Sequence, residues 1–357
     1  MPYILQTIDY NHLVLEIKSW AKLLGFTQVG ITDLNLSLYQ QRFNHWLKQR
    51  RHGEMAFMER YVEARLHPEQ LVDKTARIIC VAMPYGVFST ESHVPIARYA
   101  LGGDYHRFIR KRLQQLAHKI NEAIGEFSYR AFSDSAPVFE KALAEKAGIG
   151  WTGKHTCLIH ESLGSAFFLG ELFTDLPLPI DQPIRARCGD CQHCLHVCPT
   201  GALTAPYQLN AERCIGYLTI EYKGVIPESL RPLIGRRIFG CDECLRHCVW
   251  SPKVVECDPF FKPREVFDRV DLLALFDWRE ETFLAHTEGS VIRRVGYECW
   301  QRNIAIALGN SPKNERILAA LHKKMETTTK LVKEHIIWAI RQQSAVERNA
   351  EKLFDYL

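Results

Sequence analysis

The apolar runs in this chain all fall short of the roughly 18 residues that a membrane-spanning helix requires. A glycine-rich strand-to-helix fingerprint for a dinucleotide is missing as well, Gly102-Gly103 being too short to serve as one. Neither sign of charge dominates, with 45 Lys+Arg against 41 Asp+Glu and a formal net charge of +4. There is no low-complexity tract. The first residues do not read as an export leader, because Asp9, Glu16 and Lys18 interrupt them while Leu13, Val14, Ile17, Ala21 and Leu24 recur at helical spacing. These absences argue against a membrane helix, a Rossmann-bound nicotinamide or flavin, and long disorder. What remains is a cytoplasmic globular protein of 357 residues, enough for two or three domains.

Against that background the twelve cysteines stand out. In a reducing compartment, thiols serve metals or catalysis more often than disulfides. Eight of them lie between Cys188 and Cys248. The run Cys188-x2-Cys191-x2-Cys194-x3-Cys198-Pro199 places three thiolates on a tight loop around one 4Fe–4S cubane, and in two-cluster ferredoxins the fourth cysteine of such a run reaches the other cluster. Cys241-x2-Cys244-x3-Cys248 repeats the second half of that run, with Cys214 detached upstream. Crossing the sets assigns Cys188, Cys191, Cys194 and Cys248 to one cluster, and Cys198, Cys214, Cys241 and Cys244 to the other. A zinc site would want four ligands in two pairs, which this pattern overshoots. Cys80, Cys157 and Cys299 read as core packing, and Cys257 finds no ligand slot. Such clusters move single electrons, so the first domain must hold an acceptor, which spacing alone leaves as an unidentified second redox centre.

The chain reads as α+β in three parts, 1–180, 181–260 and 261–357. In the first, 76–83 (closed by Pro84), 129–133 and 165–173 are strand-like. Tyr105, Phe108, Ile109, Leu113, Leu116, Ile120 and Ile124 mark one face of a helix that Gly125 can end, and Pro137 suits the first turn of another running to Gly148. A mixed sheet flanked by helices is expected. The second part opens on a linker marked by Pro177, Pro179 and Pro183 and carries the ferredoxin-like two-cluster domain. The third is helical, with apolar stripes at 299–309, 314–325 and 331–343 interrupted at Gly309-Asn310-Ser311-Pro312, which predicts a small HEAT-like helical repeat. Charge concentrates there too: from Arg293 onward the net charge is +5, against −1 for everything before it. A basic helical segment suits an acidic partner such as RNA, or is simply a solvated surface.

The chain resembles the epoxyqueuosine reductases, cobalamin-dependent enzymes of tRNA queuosine synthesis, over essentially its whole length. The resemblance is carried by Ala97-Arg98-Tyr99-Ala100, Asp104-Tyr105-His106, the stretch from Asp134 to Lys141, Ala147 to Lys154, Gly164-Ser165, Leu169-Gly170-Glu171, and the two cysteine blocks. It continues through Tyr217 to Glu221, Lys223-Gly224, Arg302-Asn303 and Ala307 to Asn310. Two positions depart from the family pattern: Val249 stands where Pro usually follows the last cluster cysteine, and His155 where Asn usually follows Gly-Lys. The resemblance implies a cobalamin in the first domain with no histidine on cobalt. Asp104-x-His106 superficially suggests a cobalt-binding signature, but Ile109 replaces its glycine, so His106 either lines the site or is a locally bonded helix residue.

The implied reaction removes an epoxide oxygen from the wobble nucleoside of tRNA, with Asp134 as the proton donor. Burial beside an apolar corrin face would let an aspartic acid hold its proton at neutral pH; the alternative is that Asp134 caps the helix after Pro137. Residues implied to meet the cobalamin are Phe57, Ala97, Arg98, His106, Asp134, Glu140, Gly153, Lys154, His155, Leu158, Ser165 and Leu169, with Met55 held in reserve. The 148–154 glycines would let backbone approach the corrin amides. For tRNA the candidates are Lys223, Gly224, Arg293, Arg294, Arg302 and Lys313, although Arg302 can instead pair with Glu298 one helical turn away. An unidentified electron donor and a monomeric protein without membrane attachment complete the expectation. Its rivals are a corrinoid reductive dehalogenase, and a di-cluster electron carrier without catalysis.

Overall fold

The computed structural model describes residues 8–86, 95–252, 255–268 and 271–344. The chain divides into two compact units that interleave in sequence, instead of three consecutive blocks. The first comprises the described residues within Met1–Phe88, Gly102–Ala211 and Asp242–Lys262; the second those within Ser89–Leu101, Glu212–Cys241 and Pro263–Leu357. The physical reason is burial. Segment 212–241 has too few apolar side chains for a core of its own, and Leu218, Ile226 and Ile238 are buried within the unit that holds the C-terminal helices.

At the centre of the first unit is a four-stranded sheet in the order Gln28–Thr32, Arg77–Pro84, Phe167–Thr174, Tyr129–Phe132. Every pairing is antiparallel, which corrects the expected mixed sheet. From Ile78 to Pro84 each residue is buried, because helices cover both faces and leave no side to alternate toward water. Ile78, Cys80 and Ala82 pack with Ala142, Leu143 and Ala144 of the short helix Glu140–Lys146. On the opposite face runs the helix Tyr105–Ile124, begun by Asp104, whose carboxylate accepts the His106 N–H, and ended at Gly125 with φ +88°. This helix lies so close that a Cβ on Gly170 would come within 2.7 Å of Ile109 Cγ2.

The helix expected from Pro137 begins only at Glu140, because 133–139 is held as a loop in which Asp134 adopts φ +48°. An aspartate tolerates this left-handed backbone better than most residues, yet it is strained relative to the ordinary regions.

In the second unit the three expected C-terminal helices are Tyr297–Gly309, Glu315–Met325 and Lys330–Ser344. The first is buried at every position from Cys299 to Gly309, and a Cβ on Gly309 would meet Trp338 at 2.6 Å, so this helix is the unit's core. Arg302 and Asn303 turn inward from it. Arg302 donates to the carbonyls of Leu218, Tyr222 and Gly224 at 2.7, 2.9 and 2.8 Å, and Asn303 to those of Thr219 and Ile238 at 2.8 and 2.9 Å. They thereby satisfy carbonyls at the end of the helix Ile215–Ile220, which would otherwise be orphaned.

Candidate active site and cysteine pocket

Asp134 sits at the end of the Tyr129–Phe132 strand, and its carboxylate meets two neighbours from the start of the Tyr105–Ile124 helix. Tyr105 Oη donates to Asp134 Oδ2 at 2.5 Å, and His106 Nε2 lies 3.6 Å from the same oxygen. The other ring nitrogen of His106 is 2.7 Å from Asp104 Oδ1. Burial alone would lower the His106 pKa, but the two carboxylates outweigh it and carry it up to about 9. The ring is bonded locally to Asp104 and faces Asp134. Tyr105 in turn stacks on Phe168 with ring centroids 4.0 Å apart.

One expectation for Asp134 is corrected here. It does not cap the following helix; instead its own backbone N–H donates to Glu140 Oε1 at 2.5 Å. Its side chain is 64% exposed.

Beneath the loop lies an acidic pair that sequence reasoning missed. Glu171 is fully buried in the middle of the sheet, registered opposite both Cys80 and Phe132. Neither of its carboxylate oxygens meets an N–H or hydroxyl donor among the described residues; its neighbour is the carboxyl of Glu140. Burial first, and the Glu140 charge second, push its pKa well above 4.5. Glu140 rises to about 7, by burial and then by the charge of Asp134. A proton held by this pair supplies the missing donor. The signal for it was a lone glutamate inside the apolar stretch 165–173.

The second site is a pocket lined by Cys188, Cys191, Cys194 and Cys248, together with Lys154, His155, Ile159 and Trp250. These are the four cysteines assigned to one cluster by the crossed spacing. Burial and then the proximity of Cys248, Cys188 and Cys191 push the Cys194 thiol up to about 11. Four cysteines lining one pocket are the donor set that an iron–sulfur cluster takes. Lys154 Nζ donates to the Gly189 carbonyl at 2.6 Å and so braces the ligand loop.

Several residues assigned to the cobalamin are committed elsewhere. Lys154 and His155 belong to the cysteine pocket, Leu158 is in the core, and Ser165 Oγ donates to the Leu158 carbonyl at 2.7 Å. The glycines serve internal packing: a Cβ at Gly148 would meet Gln182 O at 2.5 Å, at Gly150 Ile159 O at 2.2 Å, and at Gly153 Ile159 Cδ1 at 2.5 Å. Phe57 is exposed and Leu169 partly so. Ala97 and Arg98 fall in the second unit, where the Ala97 N–H donates to the Phe239 carbonyl at 2.8 Å.

Of the residues assigned to tRNA, Arg302 is fully buried and directed at carbonyls, so it is corrected to a structural role and does not pair with Glu298. Gly224 supplies one of those carbonyls. Lys223 Nζ reaches the carbonyls of Ile220 and Val295, each at 3.0 Å. Arg293 and Arg294 are exposed, Arg294 pairing with Glu221 at 3.0 Å. No described helix is long and apolar enough to cross a membrane.

Comparison with known proteins places these sites in context. The family model described as epoxyqueuosine reductase QueG, DUF1730, matches residues 65–135, and that of a 4Fe-4S double cluster binding domain matches 187–251. The epoxyqueuosine reductase of Pseudomonas aeruginosa is 48% identical over 344 residues, covering 94% of this chain and 95% of the relative. Among solved structures, the Bacillus subtilis epoxyqueuosine reductase with its catalytic aspartate loop swung out of the active site has a TM-score of 0.85 at 28% identity, covering 94% of this chain and 92% of that one. An epoxyqueuosine reductase crystallised with an epoxyqueuosine-modified tRNA-Tyr stem loop has a TM-score of 0.81 at 26% identity, covering 94% of this chain and all of that one. With near-complete coverage at this identity, the chain belongs to the epoxyqueuosine reductase family.

Proposed function

We propose that this chain reduces epoxyqueuosine to queuosine in tRNA, with Asp134 donating the proton that the departing oxygen requires. Family membership supplies the reaction, and the Asp134 loop is the observation that carries the assignment of its acid. An exposed carboxylate, strained in backbone and held by Tyr105, His106 and Glu140, is poised at a surface where a substrate can reach it. Deoxygenation takes two electrons and two protons, leaving an alkene and water. Cobalamin, when bound, supplies a low-valent cobalt able to deliver those electrons; Phe57, Leu169, His106 and Asp134 are the first-unit residues that would meet it. General-acid help at such a step is worth roughly 10²–10⁴-fold.

His106 does the next part of the work. Its ring lies 3.6 Å from Asp134 Oδ2 and helps place that carboxylate, while Asp104 holds its far nitrogen. Tyr105 fixes the orientation of the accepting oxygen. The thiolates of Cys188, Cys191, Cys194 and Cys248 would hold one 4Fe–4S cluster and those of Cys198, Cys214, Cys241 and Cys244 the other, so that single electrons reach the site in sequence. Arg293, Arg294 and Lys223 would meet tRNA phosphates, making affinity fall with salt. The wobble base must leave its stack to react. The reading extends to a monomer working in the cytoplasm alongside its tRNA substrate and supplied by a separate electron donor.

The test is direct. Protein purified without oxygen, assayed for iron, sulfide and cobalt, and given epoxyqueuosine-bearing tRNA with a strong reductant should hold about eight irons and one corrinoid, and yield queuosine. Absence of conversion by such loaded protein would overturn the reading.

A further inference from the structure

The cysteine pocket contains a buried donor that the protein itself does not use. His155 is only 3% exposed, and its ring lines the pocket with Cys188, Cys191, Cys194 and Cys248. Its Nδ1 accepts the Cys157 backbone N–H at 3.2 Å, which requires a lone pair there and puts the ring proton on Nε2. Nε2 has no partner among the described residues. The pose depends on Gly153, where a Cβ would stand 2.8 Å from Cε1 and 3.0 Å from Nε2, so only glycine leaves room for the imidazole here. On the next residue Lys154 ties the ligand loop through Gly189, so ring and loop are held together.

We propose that His155 Nε2–H donates a hydrogen bond to a sulfur of the cluster held by Cys188, Cys191, Cys194 and Cys248, making that cluster easier to reduce than its ligands alone would. The inference rests on the cluster reading above. Its physics is simple. An added electron spreads negative charge over the cluster sulfurs, and a fixed donor favours that state over the oxidised one, so the potential rises. A buried donor left unbonded is costly, and a sulfur acceptor removes the cost.

The experiment is an anaerobic potentiometric titration of the reconstituted full chain, followed by electron paramagnetic resonance, comparing wild type, His155→Phe and His155→Gln. Phenylalanine keeps the ring volume without the donor; glutamine keeps a donor. The expected result is that both variants load about eight irons. In His155→Phe one of the two cluster waves should move negative, its reduced-to-oxidised ratio at fixed potential falling about threefold to tenfold, the size expected of one hydrogen bond. Tenfold corresponds to about 59 mV for one electron. The other wave should stay, and His155→Gln should restore most of the shift. Full loading with neither wave moved would overturn the hydrogen bond. Loss of about half the iron in both variants would overturn it too, by making His155 a brace for the ligand loop. Failure of wild type to load two clusters at all would instead sink the reading on which the inference rests.

Discussion

Arg302 and Glu171 are both wholly buried ionisable side chains, one in each compact unit, and they are treated in opposite ways. Arg302 aims its guanidinium at three backbone carbonyls and at Asn303 Oδ1, so its buried donors find acceptors and it stitches the 215–224 segment to the central helix of its unit. Glu171 meets no N–H or hydroxyl donor among the described residues, faces a second carboxyl in Glu140, and holds its proton well above the usual carboxylate range. The first arrangement is what burial demands of a polar group that only builds structure. The second sits below the loop of the reacting acid, where an unresolved electrostatic demand has a use. Completeness of hydrogen bonding, more than burial, separates a structural polar residue from one near chemistry.

Substitution should reveal the contrast as a difference of sign. Arg302→Met, which leaves three carbonyls without donors, should destabilise the protein by about 3 kcal/mol or more in denaturant melts, while tRNA affinity of the folded fraction stays as it was. An unchanged midpoint would break the comparison from the structural side. Next in size, Asp134→Asn should retain iron and corrinoid yet turn over at least about tenfold slower; wild-type turnover would remove Asp134 as the acid.

Glu171→Leu should move stability the other way, gaining about 1 kcal/mol near pH 8. The sign follows from linkage. Carboxyls whose folded pKa lies above 4.5 lend stability that is complete below 4.5 and lost as pH rises through the folded value, about 7 for Glu140. The gain from Glu171→Leu should therefore grow between pH 5 and 8, measured by thermal melts across that range. A gain independent of pH would mean that Glu171 carries no proton.

Smallest is the effect at the exposed arginines. Reversing charge at Arg293 and Arg294 together should weaken tRNA binding severalfold at moderate salt and flatten its salt dependence, with the visible spectrum unaltered. Arg294 already pairs with Glu221, so most of the loss should come from Arg293.

How much of this was legible before folding depends on range. The helices Tyr105–Ile124, Tyr297–Gly309, Glu315–Met325 and Lys330–Ser344 follow from apolar periodicity and nearby caps, which act over a turn or two. The grouping of Cys188, Cys191 and Cys194 was legible for the same reason, since they share one loop, whereas Cys248 joins them in the pocket from a distant segment. What could not be read there was who sits across from whom. Arg302 looked like a surface cation because nothing in its own helix announces the carbonyls of 218, 222 and 224. The glycines of 148–153 looked like ligand-facing backbone, when the atoms crowding them belong to Ile159, His155 and Gln182. Asp134 was proposed as the acid only through resemblance; that Tyr105 and His106 meet its carboxylate while Glu140 accepts its backbone N–H emerges only when those segments come together. By itself, then, the order of residues determined the local elements, the thiol set and the family. Tertiary structure alone decided which charges are satisfied, which are left in tension, and which nitrogen faces the pocket, because burial and hydrogen-bond partnership are set by residues distant in the chain.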